Sequence, residues 1–321
     1  MSAKQQVRIV RADADRHAPA MRGRFANPNG VSRPSNLAVL RWSFGVGQRD
    51  QLGPQLDRVP IAADVPDLQR CATLSYLGHA TVAMRLSAGQ MIITDPVFDS
   101  PPGFRRHIPP VVSFEALPPC DAVLISHNHY DHLEKVTVRR FPSEQLFVVP
   151  SGLAGWFARQ GRKNVVELDW WDHIEFGGLE ICMVPAQHWS RRRLLDENRS
   201  LWGGYVVCDG QHQIYFAGDS GWFDGFATIG AAFDLDVALL PIGAYAPRWF
   251  MANQHIDPQQ ALDALVALGA KQMLPIHWGV FTLAEEPLTE PPALLAQLMR
   301  ERRLESRVTI WPIGGEYRLP C

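Results

Sequence analysis

Short apolar runs, rich in β-branched and aromatic residues, alternate with amphipathic segments from about residue 72 to the end of the chain. The apolar runs predict strands, and the amphipathic segments predict helices. The predicted strands are residues 74–76, 81–86, 91–94, 122–126, 146–149, 165–168, 180–184, 205–208, 213–217, 237–240, 272–276 and 307–311. Strands that alternate with helices in this way are typical of a layered α/β fold.

Turn and cap residues indicate where several of these elements begin and end. Asp209 followed by Gly210 predicts a hairpin turn between two strands. Asp257 before Pro258 predicts the start of a helix, and Gly269 predicts its end. The predicted helices are residues 151–161, 258–268 and 291–303.

The first 35 residues differ from the rest of the chain. Residues 1–35 mix arginine, aspartate, asparagine and proline without hydrophobic periodicity, which predicts an arm that is ordered only where it packs on the body. Residues 36–321 have the length of one large α/β domain. We therefore expect one domain preceded by a partly ordered arm.

Composition and charge exclude several classes of protein. Hydrophobic residues make up 46% and charged residues 20%, which is typical of a globular protein. A net charge of −2 gives no attraction to nucleic acid, and no apolar run resembles a membrane span or a signal peptide. The 5 cysteines are scattered without a C-x-x-C pair, so we expect reduced thiols and not zinc ligands. The expected location is the cytoplasm.

Four candidate metal ligands lie together directly after an apolar predicted strand. They are His127, His129, Asp131 and His132. In extended chain, residues two apart project to the same side, so His127 and His129 can face one point while the other pair turns toward a neighbouring point. Imidazole and carboxylate are ligands of Zn²⁺, and of Fe or Mn where carboxylate and water contribute more. The segment predicts two adjacent metal positions.

Three further candidates occupy the same place relative to later strands. His188, Asp219 and His277 each follow the end of a predicted strand. A single histidine at such a position is more often a hydrogen-bonded structural residue than a ligand. Because ligand sites of layered α/β folds form at the carboxyl ends of strands, three together complete the metal centre that the first segment begins.

This set of residues resembles that of the metallo-β-lactamase superfamily. Within it, the sequence is similar to the N-acyl-phosphatidylethanolamine-hydrolysing phospholipase D family. The resemblance implies a four-layer αβ/βα sandwich of the metallo-β-lactamase type, with a dinuclear site along one edge of its two sheets. The matching stretches are residues 77–82, 95–98, 125–133, 167–171, 187–189, 216–219, 241–245, 248–251 and 276–279.

The resemblance also implies a role for each ligand candidate. Two Zn²⁺ ions would be held by His127, His129 and His188 at the first position, by Asp131, His132 and His277 at the second, and by Asp219 as the bridge. Two metals about 3.5 to 4 Å apart can share a water and depress its pKa toward about 7, so water is the expected nucleophile. The predicted catalytic residues are Asp131, Asp219 and His255.

Other candidates surround this centre. We expect His79 and Asp95 to orient ligating imidazoles, with a turn as the alternative role for Asp95. His255 matches a histidine near the substrate in the phospholipase family, where it would protonate the leaving alkoxide or bind phosphate, with helix capping as the alternative. The expected substrate-binding residues are Tyr130, Trp189, Tyr245 and Arg248.

These expectations predict a zinc-dependent phosphodiesterase that releases N-acylethanolamine from N-acyl-phosphatidylethanolamine or a related phospholipid. The alternative is hydrolysis of a lactone, thioester or β-lactam on the same metal centre. A nuclease is disfavoured by the charge, and a non-catalytic metal-binding sensor is disfavoured by the complete ligand set. A phospholipid substrate predicts peripheral contact with a membrane, and the sequence leaves a homodimer open.

Overall fold

The computed structural model describes residues 7–31, Ser35, 59–193 and 195–320. The predicted boundary at residues 35 and 36 borders positions 36–58, which lie outside the described residues. The strands are β1 (Arg8–Val10), β2 (Ala20–Met21), β3 (Arg24–Phe25), β4 (Thr73–Gly78), β5 (Thr81–Arg85), β6 (Met91–Thr94), β7 (Ala122–Leu124), β8 (Phe147–Pro150), β9 (Val165–Leu168), β10 (His173–Phe176), β11 (Leu179–Val184), β12 (Gly204–Cys208), β13 (Gln213–Phe216), β14 (Val237–Pro241), β15 (Gln272–Ile276) and β16 (Glu316–Arg318). The helices are α1 (Lys135–Arg140), α2 (Ala154–Arg159), α3 (Gly225–Ala232), α4 (Arg248–Met251), α5 (Pro258–Leu268) and α6 (Glu290–Glu301).

Two sheets of seven strands form the centre of the described part of the chain. The first has the order β16-β4-β5-β6-β7-β8-β9, and the second has the order β1-β10-β11-β12-β13-β14-β15. In each sheet the antiparallel strands lie on one side and the parallel strands on the other, with β6 to β9 parallel in the first and β13 to β15 in the second. The carboxyl ends of these parallel strands therefore point to one edge of each sheet.

The inner strands of the first sheet are buried on both faces. In β8, Val148 belongs to the apolar cluster between the sheets, whereas Phe147 and Val149 belong to a second cluster under α1 and α2. Tyr205 crosses between the layers, since its hydroxyl donates to the carbonyl of Ile125 at 2.8 Å. The second sheet is covered by α5, which contacts β14 and packs against α3 and α6. Helices thus flank both sheets.

The cap residues define α5 as predicted. Asp257 accepts a hydrogen bond from the backbone N–H of Gln260 at 2.8 Å, and the Gln260 side chain reaches back to the Asp257 backbone. The helix ends at Gly269, whose φ of 65° lies in the left-handed region that glycine favours. The predicted hairpin turn at Asp209 and Gly210 is also present, between β12 and β13.

One predicted strand is wrong. The run 307–311 is not part of a sheet; it follows a 3₁₀ turn and makes one isolated bridge, between Val308 and Met273. Its apolar residues are buried because they pack beside β15, where the Trp311 indole N–H donates to the Pro275 carbonyl at 2.8 Å. Burial of a short apolar run does not require a strand, which is why the pattern was misleading.

The first described residues pack on the body. β1 adds to the edge of the second sheet by pairing with β10, an addition that the sequence did not indicate. Asp172 accepts hydrogen bonds from the Arg11 guanidinium at 2.5 Å, from the Ala12 N–H at 2.9 Å and from the His17 ring at 3.0 Å. Asp169 accepts one from the Ala18 N–H at 2.8 Å. Two carboxylates thus hold the beginning of the arm.

Replacing Asp172 by alanine is expected to detach this part of the arm. The substitution leaves the N–H of Ala12 and the Arg11 guanidinium without their acceptor, at a cost of about 1–3 kcal/mol. We expect faster tryptic cleavage after Arg11 and Arg16, and a lower free energy of unfolding in denaturant titrations. Glu175→Ala is the control, because it removes a carboxylate that pairs with the exposed side chain of Arg8 at 3.0 Å. Equal cleavage in both variants would contradict the anchoring role.

Candidate metal centre

Loops at one edge of the two sheets bring the predicted ligands together. Each loop follows a strand, so a rigid element sets the position of each side chain. The strand and residue pairs are β4 with His79, β6 with Asp95, β7 with the segment from His127 to His132, β11 with His188, β13 with Asp219 and β15 with His277. The predicted ligands among them are buried, except for half-buried His129.

The first group consists of three histidines whose ring nitrogens converge. His127 Nε2 lies 2.9 Å from His129 Nδ1, and His188 Nε2 lies 3.2 Å from the same atom. Three nitrogens bound to one zinc ion at about 2.0–2.1 Å in tetrahedral geometry would lie about 3.3 Å apart. The group therefore has the dimensions of one metal position.

The second group lies beside the first. His132 Nε2 and His277 Nε2 are 3.2 Å apart, and Asp131 Oδ2 lies 3.5 Å from the first and 3.8 Å from the second of these nitrogens. His79 Nε2 lies 3.0 Å from the same oxygen of Asp131. Besides the three predicted ligands, His79 is thus close enough to hold the same ion.

Asp219 lies between the two groups. Its Oδ2 is 3.2 Å from His132 Nε2 in the second group and 3.8 Å from His188 Nε2 in the first. Its Oδ1 is 3.1 Å from His277 Nε2, yet this oxygen makes no hydrogen bond of acceptable geometry. A buried carboxylate oxygen that no donor satisfies is expected where a cation supplies the missing partner.

The tautomers of two ligand histidines are set by their outer hydrogen bonds. His188 Nδ1 faces the carbonyl of Gln254 at 3.0 Å, and His132 Nδ1 faces Asp95 Oδ2 at 2.7 Å. Because these acceptors require an N–H at Nδ1, neutral rings present the lone pair of Nε2 to the centre. Imidazole nitrogens and carboxylates are the donor set that zinc takes, so the residues fit two such ions.

Burial and neighbouring charges divide the histidines into two kinds. Burial lowers the pKa of His129 to about 3 and that of His188 to about 4, so these rings are neutral. Burial also lowers the pKa of His277, but the carboxylates of Asp219 and Asp131 more than offset it and raise the value to about 9. The histidines of the first group are thus neutral and offer nitrogen lone pairs, whereas His277 of the second group is paired with the negative charge of Asp219 and Asp131.

Asp95 is placed where the sequence predicted an orienting residue. It is fully buried, and besides His132 it accepts hydrogen bonds from the backbone N–H of Ser126 at 2.7 Å and from its hydroxyl at 2.5 Å. The Ser126 hydroxyl in turn lies 2.9 Å from His127 Nδ1. One carboxylate therefore supports a histidine of each group.

His255 borders the centre without a hydrogen bond on its inner nitrogen. Its Nδ1 lies 3.8 Å from Asp219 Oδ2, and its side chain is 12% exposed. Asp257, not His255, caps α5, which removes the alternative role of helix capping. With His188 and Asp219, His255 lies close enough to contribute to a metal position.

Two of the predicted substrate-binding residues lie beside His129. The Trp189 ring meets the His129 ring edge to face, with 4.6 Å between the ring centres. Tyr130 is half-buried, and its hydroxyl donates to the Arg192 carbonyl at 2.9 Å. The Trp189 ring thus borders the first ligand group at His129. The hydroxyl of Tyr130, in contrast, is already hydrogen-bonded within the protein.

The polar groups of Tyr245 and Arg248, the other two predicted substrate-binding residues, form hydrogen bonds with residues outside the two ligand groups. The Tyr245 hydroxyl donates to Glu290 Oε1 at 2.5 Å. The Arg248 guanidinium donates to the His255 carbonyl at 2.9 Å and to Gln260 Oε1 at 2.7 Å. Arg248 therefore holds the segment that carries His255, and its expected contact with phosphate stays a prediction.

Sequence reasoning missed a residue that braces the ligand loop. The Arg192 guanidinium donates to the carbonyl of Asn128 at 2.8 Å, within the ligand segment, and to that of Leu133 at 2.6 Å, directly after it. It also stacks over the Tyr130 ring at 4.1 Å. The run of three arginines at 191–193 was the available signal, but nothing local indicated which of them turns inward.

Comparison with known proteins places the chain in a family. Residues 90–278 match the model described as the beta-lactamase superfamily domain. The chain is also 38% identical over 249 residues to N-acyl-phosphatidylethanolamine-hydrolyzing phospholipase D 1 of Caenorhabditis elegans, covering 71% of this chain and 70% of the relative. The chain belongs to this phospholipase D family of the metallo-β-lactamase superfamily. The predicted family is thereby confirmed.

A further sequence relative and a solved structure extend the comparison for this phospholipase D family member. A metal-dependent hydrolase of Methanopyrus kandleri is 29% identical over 249 residues, covering 76% of this chain and 98% of the relative. The crystal structure of isothiocyanate hydrolase from Delia radicum gut bacteria superposes with a TM-score of 0.65 at 21% identity, covering 78% of this chain and 100% of that one, and shows the fold alone. The predicted sandwich is confirmed, and the protein is a metal-dependent hydrolase.

Proposed function

We propose that the protein is a zinc-dependent phosphodiesterase of phospholipase D type, which releases N-acylethanolamine from N-acyl-phosphatidylethanolamine or a related phospholipid. The observation that carries the proposal is the position of Asp219, within 3.9 Å of ring nitrogens from two adjacent ligand groups. A centre of this kind suits the displacement of an alcohol from a phosphodiester. The choice of substrate is supported by the C. elegans relative.

Each part of the centre has a proposed role. The first zinc ion would be held by His127, His129 and His188, the second by Asp131, His132 and His277, and both by Asp219. Zinc at these positions supplies Lewis-acid stabilisation of the phosphate charge and activation of water. The outer hydrogen bonds of the ligand histidines keep the ring nitrogens aimed at the centre, and Trp189 supplies an apolar wall beside it.

His255 is the proposed residue for the substrate itself. Its Nδ1 is buried and makes no hydrogen bond, although it lies 3.8 Å from Asp219 Oδ2. Arg248 bonds the carbonyl of His255, and the cap of α5 at Asp257 fixes the backbone two residues later. We propose that Nδ1 bonds a phosphate oxygen or carries the proton for the departing alkoxide.

His255→Ala is expected to lower kcat by about 10²–10³-fold, which is the contribution typical of a positioned proton-transfer group. Metal content should stay at the wild-type level, because three other ligands and Asp219 remain around each ion. His212→Ala is the matched control, since His212 is also buried but bonds to Ser87 and to the Pro320 carbonyl. Loss of one metal equivalent from the His255 variant would show that this histidine is a ligand and not a substrate-binding group.

The proposed activity is tested by product analysis with zinc-loaded protein. N-acyl-phosphatidylethanolamine in ¹⁸O-labelled water should give N-acylethanolamine, with the label in phosphatidic acid, because water attacks phosphorus and the alcohol leaves with its own oxygen. A panel of lactones, thioesters and a β-lactam under the same conditions tests the alternative. Turnover of a member of that panel without any release of N-acylethanolamine would overturn the proposal.

The loop after Trp189 suits the predicted contact with a membrane. Leu195 is 79% exposed, and it follows the exposed Arg193 on a loop that Arg192 fastens beside the ligand segment. An exposed leucine and an exposed basic residue on one loop favour the surface of an anionic bilayer. Among the described helices, none has the length and apolar character to cross a membrane. We propose that this loop meets the lipid surface.

Leu195→Asp is expected to weaken binding to vesicles that contain anionic phospholipid, by about 10-fold or more, because the exposed side chain becomes charged. Cosedimentation with vesicles measures the effect. Val136→Asp is the control, as Val136 is also exposed, at 54%, but lies on α1. Hydrolysis of a soluble short-chain substrate should be unchanged in both variants, and equal vesicle binding by the two would exclude this loop as the contact.

A further inference from the structure

Asn27 links the N-terminal arm to one of the metal ligands. Its side chain is 5% exposed and lies against His188, which is 161 residues away in sequence. The amide oxygen accepts the backbone N–H of His188 at 3.0 Å, and the amide nitrogen donates to the His188 carbonyl at 2.9 Å. One side chain thus satisfies both polar backbone groups of this histidine.

The bonds of Asn27 require an amide. Besides the two bonds to His188, the amide oxygen accepts the indole N–H of Trp202 at 3.1 Å, and the amide nitrogen donates to the Val31 carbonyl at 2.6 Å. Both hydrogens and two acceptor positions are in use, which fills the capacity of the group. Aspartate would turn an acceptor toward two carbonyls, and alanine would leave the backbone of His188 unsatisfied.

The position of His188 explains why such a brace is needed. β11 ends at Val184, and the backbone of His188 lies beyond it and bonds to the Asn27 side chain. Its ring is fixed on the far side by the Gln254 carbonyl. Asn27 and Gln254 together hold the residue at three points, and those points determine where His188 Nε2 lies relative to His127 and His129.

We propose that Asn27 is a positioning residue of the metal centre, through which docking of the N-terminal arm sets the affinity of the first metal position. The inference rests on the proposed metal centre and adds a residue from outside the matched superfamily region, 90–278. Groups that orient metal ligands typically change metal affinity by about 10–100-fold when they are removed. Asn27 bonds to the backbone of the metal-ligating residue His188, whereas groups that orient metal ligands usually bond to the histidine ring.

Titration of the metal-free full-length protein with Zn²⁺ in the presence of a competing chelator tests the proposal. Asn27→Ala and Asn27→Asp are expected to lower the affinity of one site by about 10–100-fold and to leave the other site unchanged. When Co²⁺ replaces Zn²⁺, the visible absorption of the metal at that site should differ between the Asn27 variants and the wild-type protein. Asn164→Ala is the control, since it removes an amide that bonds the Glu144 carbonyl instead.

A measurement on the wild-type protein does not depend on how well the variants fold. Coupling is reciprocal, so if the arm strengthens zinc binding, zinc must strengthen docking of the arm by the same factor. Hydrogen exchange of the peptide that covers residues 19–31 should therefore slow by about 10–100-fold when Zn²⁺ is added.

The outcomes separate this inference from the proposed function. Unchanged zinc affinities in both variants, or equal losses at both sites together with a lower melting temperature of the metal-free protein, would overturn the role of Asn27. Wild-type protein that binds no zinc at all would instead remove the metal centre on which the inference rests. Two zinc ions bound without any hydrolysis of N-acyl-phosphatidylethanolamine would leave the role of Asn27 intact and refute only the substrate.

Discussion

Asp219→Ala is expected to remove most of the bound metal and to lower kcat/KM by more than about 10³-fold, while the protein stays folded. The side chain contacts both ligand groups, so its loss removes a ligand from each position at once. The first group would then consist of three neutral imidazoles with no anionic partner. Metal analysis, circular dichroism and the hydrolysis assay together measure the three parts of this expectation.

Asp131→Ala is the matched control for this variant. Asp131 Oδ2 is close to the nitrogens of the second group, His132 and His277, so we expect that variant to lose one metal equivalent. Asp219→Ala should lose more than one. Full metal content in the Asp219 variant, with activity lost, would refute the bridging position. Asp219 would then act in the reaction without holding the metal ions.

The positions of the ligands could be predicted because they depend on local patterns. His127 and His188 each follow an apolar run that proves to be a strand, and a residue at the end of a strand has a defined place in a layered fold. The strands were recognised because burial on both faces requires continuous apolar sequence, as in β8. The confirmed sandwich then brings separate strand ends to one edge.

Bonds formed across long stretches of sequence could not be predicted. Asn27 and His188 are 161 residues apart, and nothing in the polar sequence around Asn27 indicates that its amide is buried. The same holds for Tyr245, which the sequence predicted to bind substrate. Its hydroxyl instead donates to Glu290, 45 residues later. The sequence indicates where a backbone runs, while the partner of a long side chain depends on the completed packing.

The metal-free protein is expected to lose stability as the pH rises from 6.5 to 9, and zinc is expected to abolish that loss. The pKa of His277 in the folded protein is about 9, against 6.5 for an unperturbed histidine. A pKa raised by folding contributes stability that is complete below the unfolded pKa and is lost as the pH rises through the folded pKa. The difference corresponds to about 3 kcal/mol.

Other histidines of the centre do not obscure this effect. The pKa values of His129 and His188 are lowered to about 3 and about 4, so these rings are neutral in the folded chain over the whole range, and in the unfolded chain they lose their remaining protons just above pH 6.5. The resulting change in stability is small beside that of His277 and is complete near the lower end of the range. The pKa of His132 is raised well above its usual value by Asp219 and Asp131, despite the opposing effect of burial, and so it adds to the loss in the same direction.

In the proposed centre, zinc would take the place of the protons of His132 and His277 as the positive charge beside Asp219 and Asp131, and its binding would strengthen as the competing protons leave. Thermal unfolding at pH 6.5, 7.5 and 9 should therefore show a zinc-induced rise in melting temperature that grows with pH. His277→Gln is the control, because its metal-free form should depend less on pH over this range. Parallel pH dependence of the metal-free and zinc-loaded proteins would mean that the cation does not occupy the place of the two protons.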